Sequence, residues 1–190
     1  MQIEQAQREM RTRFAGGLYG QAVSGVLWLG SAFLAQLQGP RPAILLLVLG
    51  GFLIFPLTEA LVRLRGGAPL SRDNALKQLG MQVAFVLPLS MPLLLPVAQF
   101  KLSLFYPAMM ILLGAHYVPF VFLYGMRLFA VLAALLVGAG VVIAMLLPQA
   151  AFAVGAWYTG AVLLVCAAVG GALSRREQRA AVTPAYGAGA

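Results

Sequence analysis

The sequence predicts an all-α, polytopic membrane protein, a bundle of about six transmembrane helices with a short amphipathic helix at its N-terminus. Hydrophobic residues make up 62% of its 190 residues and charged residues only 9%, whereas a soluble domain has about 25% charged residues. A soluble fold of this size cannot bury so much apolar surface, so most of the chain is expected to be solvated by lipid. About six spans of about 20 residues use nearly the whole length, which leaves no segment for a separate soluble domain.

The first 15 residues are predicted to form a cytoplasmic segment. Ile3, Gln7, Met10 and Phe14 recur at helical spacing, which indicates an amphipathic helix lying on the membrane surface. A cleaved signal peptide, with the arginines of this segment as its basic flank, is the alternative interpretation.

The transmembrane domain is expected over residues 16–174. Small residues recur every four positions at Gly16, Gly20 and Ser24, a pattern that lets another helix approach closely. A second such ridge lies in the fifth span, at Ala130, Ala134 and Gly138. Residues 175–190 are predicted to be a basic and then disordered cytoplasmic tail, and the six spans are expected at residues 17–37, 43–62, 75–98, 102–124, 128–147 and 151–173.

The basic residues predict the orientation of the bundle. With about six spans both termini lie on one side, and of the 13 Lys and Arg residues only Arg41 and Lys101 then lie on the other side. Basic residues are enriched in cytoplasmic loops, so both termini are expected to be cytoplasmic and the protein to reside in the inner membrane. The net charge of +8 is therefore attributed to topology and to contacts with the lipid bilayer rather than to nucleic acid.

The fourth span carries the one histidine of the chain, His116, with Tyr117 and Tyr124 close by. At about 1.5 Å per residue, the polar residues of other spans fall in the cytoplasmic half or near the midplane of the bilayer. We expect them to line a polar cavity that opens to the cytoplasm; the candidates are Gln21, Glu59, Gln82, His116, Tyr117 and Tyr124.

Two of these candidates have other interpretations. Glu59 precedes Arg63 by four residues, so the pair also fits an ordinary salt bridge at the end of a span. His116 can donate a hydrogen bond to a neighbouring helix, can bind or relay protons, or can ligate a metal. A metal site needs several ligands, and one chain hardly supplies them here, so neither a metal nor a cofactor is predicted.

Three prolines recur at intervals of four in the third span, at Pro88, Pro92 and Pro96. Each removes one backbone hydrogen bond and leaves the carbonyl four residues earlier without its partner. Such carbonyls need protein donors or water inside a membrane. The stripe therefore predicts either a kinked helix packed within the bundle or a bent helix that lines a pathway.

The residues argue against catalysis. Intramembrane proteases need a serine and histidine pair or paired aspartates, but the one aspartate, Asp73, lies in a loop. No acidic cluster for a divalent metal and no phosphate-binding loop is present. No catalytic residue is therefore predicted. The single Cys166 lies inside a predicted span, where a thiol packs as a small apolar group.

Four stretches resemble a family of small bacterial multi-pass membrane proteins of unknown function. They are LYGQAVSG at residues 18–25, LGGFLIFPLT at 49–58, MQVAFVLPL at 81–89 and LGAHYVPFVFLYGMR at 113–127. The resemblance extends from the first span to the fifth. It implies a membrane location and a shared fold, and nothing about a substrate.

Two functions remain open at this point. The first is transporter-like: the cavity binds or passes a small solute or ion, with His116 as its titratable group, in one chain or in a homo-oligomer. The second is a structural or accessory membrane subunit whose interior polar groups only hold helices together. The small-residue ridges fit both, because they pack against any helix.

Overall fold

The computed structural model describes residues 1–147 and 151–182. In this part of the chain there are nine α-helices, three single 3₁₀ turns and no strand. The 3₁₀ turns are Ala15–Gly17, Met91–Leu93 and Leu102–Leu104. The α-helices are α1 (Ile3–Arg13), α2 (Leu18–Gln38), α3 (Pro40–Gly51), α4 (Ile54–Leu64), α5 (Leu76–Ser90), α6 (Leu94–Phe100), α7 (Phe105–Tyr124), α8 (Leu128–Leu146) and α9 (Val154–Val182).

The predicted fold class is confirmed. Five helical segments of the described chain are long and apolar enough to cross a membrane: Ala15–Gln38, Leu76–Phe100, Leu102–Tyr124, Leu128–Leu146 and Val154–Ala180. The pair α3 and α4 makes a sixth if it is counted as one span bent by 53°. The protein is thus a helical, multi-pass membrane bundle.

The centre of the bundle consists of α2, α7, α8 and α9. Helix α7 packs along α8, and α2 packs along α9. Both contacts are close because glycines lie in them. A Cβ atom on Gly25 of α2 would lie 2.9 Å from the Leu164 side chain, and one on Gly114 of α7 would lie 2.7 Å from Val137 of α8. The predicted ridge on the fifth span is not the packing face, since Ala130, Ala134 and Gly138 are exposed.

The predicted second span, residues 43–62, is broken rather than straight. Helix α3 ends at Gly51 and α4 begins at Ile54, with the bend between them. Gly50 and Gly51 weaken the helix there. Pro56 cannot donate to the carbonyl of Phe52. The amide of Leu53 instead donates to Gly50 at 2.9 Å, a tighter, 3₁₀-type bond.

The third span also breaks, where the proline stripe passes through Met91–Leu93. Between Leu76 and Phe100 only Leu76, Val83 and Leu94 are buried. Of the three prolines, Pro88 is half-buried, and both Pro92 and Pro96 are exposed. The stripe therefore lies on the outer surface of this chain, not within the bundle as the sequence suggested. The two broken spans meet, since a Cβ on Gly51 would lie 3.3 Å from Cε of Met91.

The helical N-terminus is confirmed, but its apolar face meets protein rather than lipid. Ala6 and Met10 of α1 are buried in the hydrophobic core. At the other terminus, α9 continues through residues 175–182 as helix, where a tail was expected; residues 183–190 of that predicted tail lie outside the described residues. We call the end of the bundle formed by α1, the loop 65–75, the turn 125–127 and residues 174–182 the basic end.

Candidate functional site

Arg11 ties α1 to two helices of the bundle. Its Nε and Nη2 donate to the two carboxylate oxygens of Glu177 on α9, at 2.8 and 2.6 Å. Its Nη1 donates to the backbone carbonyl of Tyr124 at 2.6 Å, at the C-terminus of α7. The hydroxyl of Ser174 completes the contact by donating to the Arg11 carbonyl at 3.1 Å. Because the Arg11 side chain is only 16% exposed, this two-pronged pair is better shielded than a surface salt bridge.

Arg13 makes a second ion pair two residues further along α1. Its Nη2 lies 2.7 Å from Oε2 of Glu59, and the two side chains are 12% and 20% exposed. Its Nη1 donates to the Ala68 carbonyl at 2.7 Å. The expected helical pair between Glu59 and Arg63 is therefore replaced by a partner from α1, and Arg63 is exposed. The reason is tertiary: α1 lies across the end of α4.

Glu9 fastens the opposite face of α1 to the loop before α5. Its carboxylate accepts the backbone N–H of Ser71 at 2.7 Å and the Ser71 hydroxyl at 2.9 Å. It also accepts Nδ2 of Asn74. Burial opposes the charge, but these hydrogen bonds together hold the pKa of Glu9 below its ordinary value. Oδ1 of Asn74 accepts the N–H of Leu76 at 3.0 Å, so Asn74 satisfies the first backbone N–H of α5.

Five aromatic rings form a cluster beneath α1: Phe14, Tyr117, Phe120, Tyr124 and Phe129. The ring of Tyr124 lies 5.0 Å from Phe129 and stacks on Phe120 at 5.9 Å, measured between centroids. Phe14, the residue that follows α1, meets Tyr124 edge-on at 6.4 Å. The end of α1 and the predicted site residue Tyr124 are therefore in one contact.

Gln21 borders this cluster and has no hydrogen-bond partner. The position of a Cβ on Gly17 lies 3.5 Å from Nε2 of Gln21 and 2.8 Å from Cζ of Phe129, so the two side chains flank Gly17 together. Gln21 is 2% exposed, and neither Nε2 nor Oε1 forms a hydrogen bond in the described part of the chain. A buried polar group left without a partner costs about 1–3 kcal/mol. The side chain is thus equipped to bond something that the described residues do not supply.

The structure brings four of the six predicted cavity residues to the same region, near the basic end. Tyr117 and Tyr124 are both buried on one face of α7. Arg13, the ion-pair partner of Glu59, lies over the ring of Phe14 at 5.4 Å, and Phe14 contacts Tyr124. Gln21 reaches the same cluster from α2.

Of the other two candidates, His116 borders the same aromatic cluster, with its ring 5.7 Å from that of Tyr117, and Gln82 lies apart from it. His116 is on the side of α7 that meets α5, close to the backbone carbonyl of Val83. Its Nδ1 is buried without a hydrogen-bond partner among the described residues, and its ring contacts Phe120 at 5.1 Å. Gln82 on α5 is exposed, because α5 lies at the periphery and presents only Leu76 and Val83 to the core.

Sequence reasoning missed the side chains that close the basic end, namely Arg11, Arg13 and Glu177. The arginines were interpreted only as topology signals. Their partners are 46 and 166 positions away, so no local spacing could reveal the pairs. The one available signal was the high density of charge in the first 15 residues.

A cleft of about 390 Å³ opens beside these contacts, between α1, the turn 125–127 and α9. Arg127 and Glu177 line its polar side, and Leu128 and Leu173 its apolar side. None of the predicted cavity residues lines it. Among the described residues, no three His, Cys, Asp or Glu side chains are grouped as metal ligands.

The model of a family of unknown function, DUF7010, matches residues 3–170. The chain belongs to this family. The match covers α1 to α8 and residues 154–170 of α9, so α1 and the aromatic cluster lie within it, whereas residues 174–182 of the basic end, with Glu177, lie outside it. No curated protein and no solved structure matches the chain. The resemblance noted in the sequence is thus confirmed at the level of a family without an assigned function.

Proposed function

We propose that this membrane protein binds or passes a small polar solute or ion at the buried polar cluster formed by Gln21, Glu59, Tyr117 and Tyr124. The basic end faces the cytoplasm in this proposal, because basic residues are enriched in cytoplasmic loops and nearly all Lys and Arg residues lie at this end. The membrane is then the inner membrane.

The unpartnered carboxamide of Gln21 carries the proposal. An amide offers two N–H donors and one carbonyl acceptor, so the bound group has both an acceptor and a donor. Burial at 2% exposure prevents bulk water from satisfying these atoms. A solute that reaches the carboxamide therefore replaces a missing interaction, which favours binding.

The surroundings of Gln21 support the same function. The rings of Tyr117 and Tyr124 lie in the aromatic cluster beside it, and the carboxylate of Glu59 is paired with Arg13, which lies over the ring of Phe14 in the same cluster. The breaks in the second and third spans, which meet at Gly51 and Met91, resemble the discontinuous helices of secondary transporters. His116 remains the predicted titratable group, on the other face of α7.

The test is ligand-dependent thermal stabilisation of the purified protein. Alkali cations, short amides, polyols and amino acids are screened, and at least one class is expected to raise the unfolding temperature. Gln21→Leu removes that shift, while Gln36→Leu, an exposed glutamine on the same helix, keeps it. His116→Ala is expected to fold and to lose binding or flux. A screen without any stabilising compound contradicts the proposal.

A structural or accessory role is the second candidate, and the exposed ridge on α8 favours it. Ala130, Ala134 and Gly138 face outward, and a Cβ on Gly138 would meet nothing within 4 Å. Such a face accepts a close-packed helix from another membrane protein or a second copy of this chain. Ala134→Leu would then release a partner that co-purifies in mild detergent. A monomer without companions argues against this role.

A further inference from the structure

We propose that α1 is a hinged cover over the buried polar cluster, held closed by the Arg11–Glu177 and Arg13–Glu59 ion pairs and turning on residues 15–17. This inference rests on the proposed function, because a cover has a purpose only where the cluster beneath it is a site. It adds a controlled entrance at the basic end.

The hinge is visible in the backbone. Ala15, Gly16 and Gly17 have φ angles of 48°, 65° and 88°, three successive left-handed residues between two helices. A left-handed conformation is uncommon for alanine and freely adopted by glycine. The segment thus interrupts the helical path between α1 and α2. Gly16 packs against the carbonyl of Gly170 on α9, so the pivot itself is fixed while α1 is not part of a continuous helix.

The contacts that hold α1 are mainly polar. Only Ala6 and Met10 of α1 are buried, whereas Glu9, Arg11 and Arg13 bond the 71–74 loop, α9 with α7, and α4. Apolar contacts resist exposure to water, but separated charges regain hydration. A helix fastened in this way can leave its seat without exposing much apolar surface, which is what an opening cover requires.

The cover is coupled to the cluster at two points. Phe14 contacts the ring of Tyr124, and Arg13 forms an ion pair with the carboxylate of Glu59. Movement of α1 about the hinge breaks both contacts and exposes Tyr124. Gln21 lies one helical turn after Gly17, directly behind the hinge. The 390 Å³ cleft between α1 and α9 lies where an entering solute first meets the cover.

Thiol accessibility tests the cover without any knowledge of the solute. In a Cys166→Ala background, Gln21→Cys is labelled with N-ethylmaleimide in the full-length, detergent-solubilised protein. The double variant Arg11→Gln with Arg13→Gln is expected to speed labelling at least tenfold. The reagent is neutral, so the removed charges do not alter its approach. Loss of nearby positive charge would lower the thiolate fraction and slow the reaction, the opposite of the expected effect.

Three controls keep the result specific. Thr159→Cys, buried at the other end of α9, should react at the same slow rate in both backgrounds. Arg8→Gln should leave the rate at Gln21→Cys unchanged. The Arg8 side chain is exposed, and the 3.8 Å between its Nε and Oε1 of Glu177 is too long for a hydrogen bond. Arg13→Glu alone should make labelling fast, because it breaks the ion pair with Glu59. Adding Glu59→Arg exchanges the two charges, re-forms the pair and should restore slow labelling. If the double variant is not monodisperse, Arg13→Gln alone is measured.

Equal labelling of Gln21→Cys with and without the arginines would overturn the cover, as would fast labelling in the intact background. These outcomes are independent of solute binding. A protein that binds a solute but shows equal labelling keeps the proposed site and loses the cover, while a protein that opens but binds nothing keeps the cover and loses the proposed site.

Discussion

At the end of the bundle opposite α1, the buried hydroxyl of Tyr106 shares a hydrogen bond of 2.6 Å with Ser31, and Ser31 also donates to the Ala43 carbonyl at 2.8 Å. At the basic end, the equally buried carboxamide of Gln21 has no hydrogen-bond partner among residues 1–147 and 151–182. Helices α2, α3 and α7 join directly at the opposite end, whereas the basic end is closed by an added helix and its ion pairs. Thr159 is the exception at the opposite end, with an unpartnered hydroxyl.

In our proposal, the two ends of the bundle differ in whether their contacts can separate while the protein stays folded. Aromatic rings around Tyr106, at 5.8 Å from Trp28 and 4.7 Å from Phe152, fill the opposite end with apolar contacts that do not separate without unfolding. The contacts of α1 are charged and can be exchanged for water. Polar groups at the opposite end are satisfied by neighbouring helices, and our proposal assigns those at the basic end to a ligand.

Truncation of Tyr106 is expected to have the largest effect. Tyr106→Ala removes a fully buried ring and leaves Ser31 without that partner, which should lower stability by about 3–5 kcal/mol. Tyr106→Phe keeps the ring and should cost about 0.5–1.5 kcal/mol. Denaturation in detergent measures both. Equal losses for the two variants would show that the hydroxyl, and not the ring, seals this end.

Removal of Arg11 is expected to cost less. Arg11→Ala leaves Glu177 and the Tyr124 carbonyl without their donor, a loss of about 1–2 kcal/mol for a pair that is only partly buried. Arg8→Ala is the matched control, with an expected change near zero because Arg8 is 69% exposed. Hydrogen exchange should rise in α1 and stay unchanged in α7 and α8. Uniform exchange throughout the bundle would mean that α1 is integral to the core.

Gln21→Leu should act in the opposite direction. The substitution removes an unpartnered buried amide and keeps the volume similar, so a gain of about 1 kcal/mol is expected in the absence of ligand. Ser31→Ala at the opposite end is the comparison, since loss of a satisfied hydroxyl should destabilise by a similar amount. If Gln21→Leu destabilises instead, the carboxamide already has a partner, and the contrast between the two ends disappears.

The pH dependence of α1 docking is the smallest expected effect. The pKa of Glu9 in the folded protein lies below its ordinary value of 4.5, so its contribution is present above that value and is lost as pH falls through the folded pKa. Exchange protection of α1 should therefore decline below about pH 4.5. Glu9→Gln should flatten this decline. The same profile in the variant would assign the effect to another carboxylate.

Much of the architecture follows from local composition. The spans and their approximate bounds depend on residues that lie next to one another along the chain. The same holds for the helix break, which depends on Gly50, Gly51 and Pro56. Gln21, Tyr117 and Tyr124 are buried near one another, and their role as a binding site stays a prediction. His116 contacts Tyr117 from the side that faces α5, and Gln82 is exposed, because the rotation of a helix about its axis depends on its neighbours.

The sequence by itself determined that this protein crosses a membrane as a helical bundle, because apolar length and the near absence of charge depend on no particular neighbour. Only the tertiary structure decided that α1 docks on protein, that Arg13 rather than Arg63 pairs with Glu59, and that the proline stripe lies outside the core. These outcomes rest on contacts between residues far apart in the chain, whose energies exist only once the helices have packed.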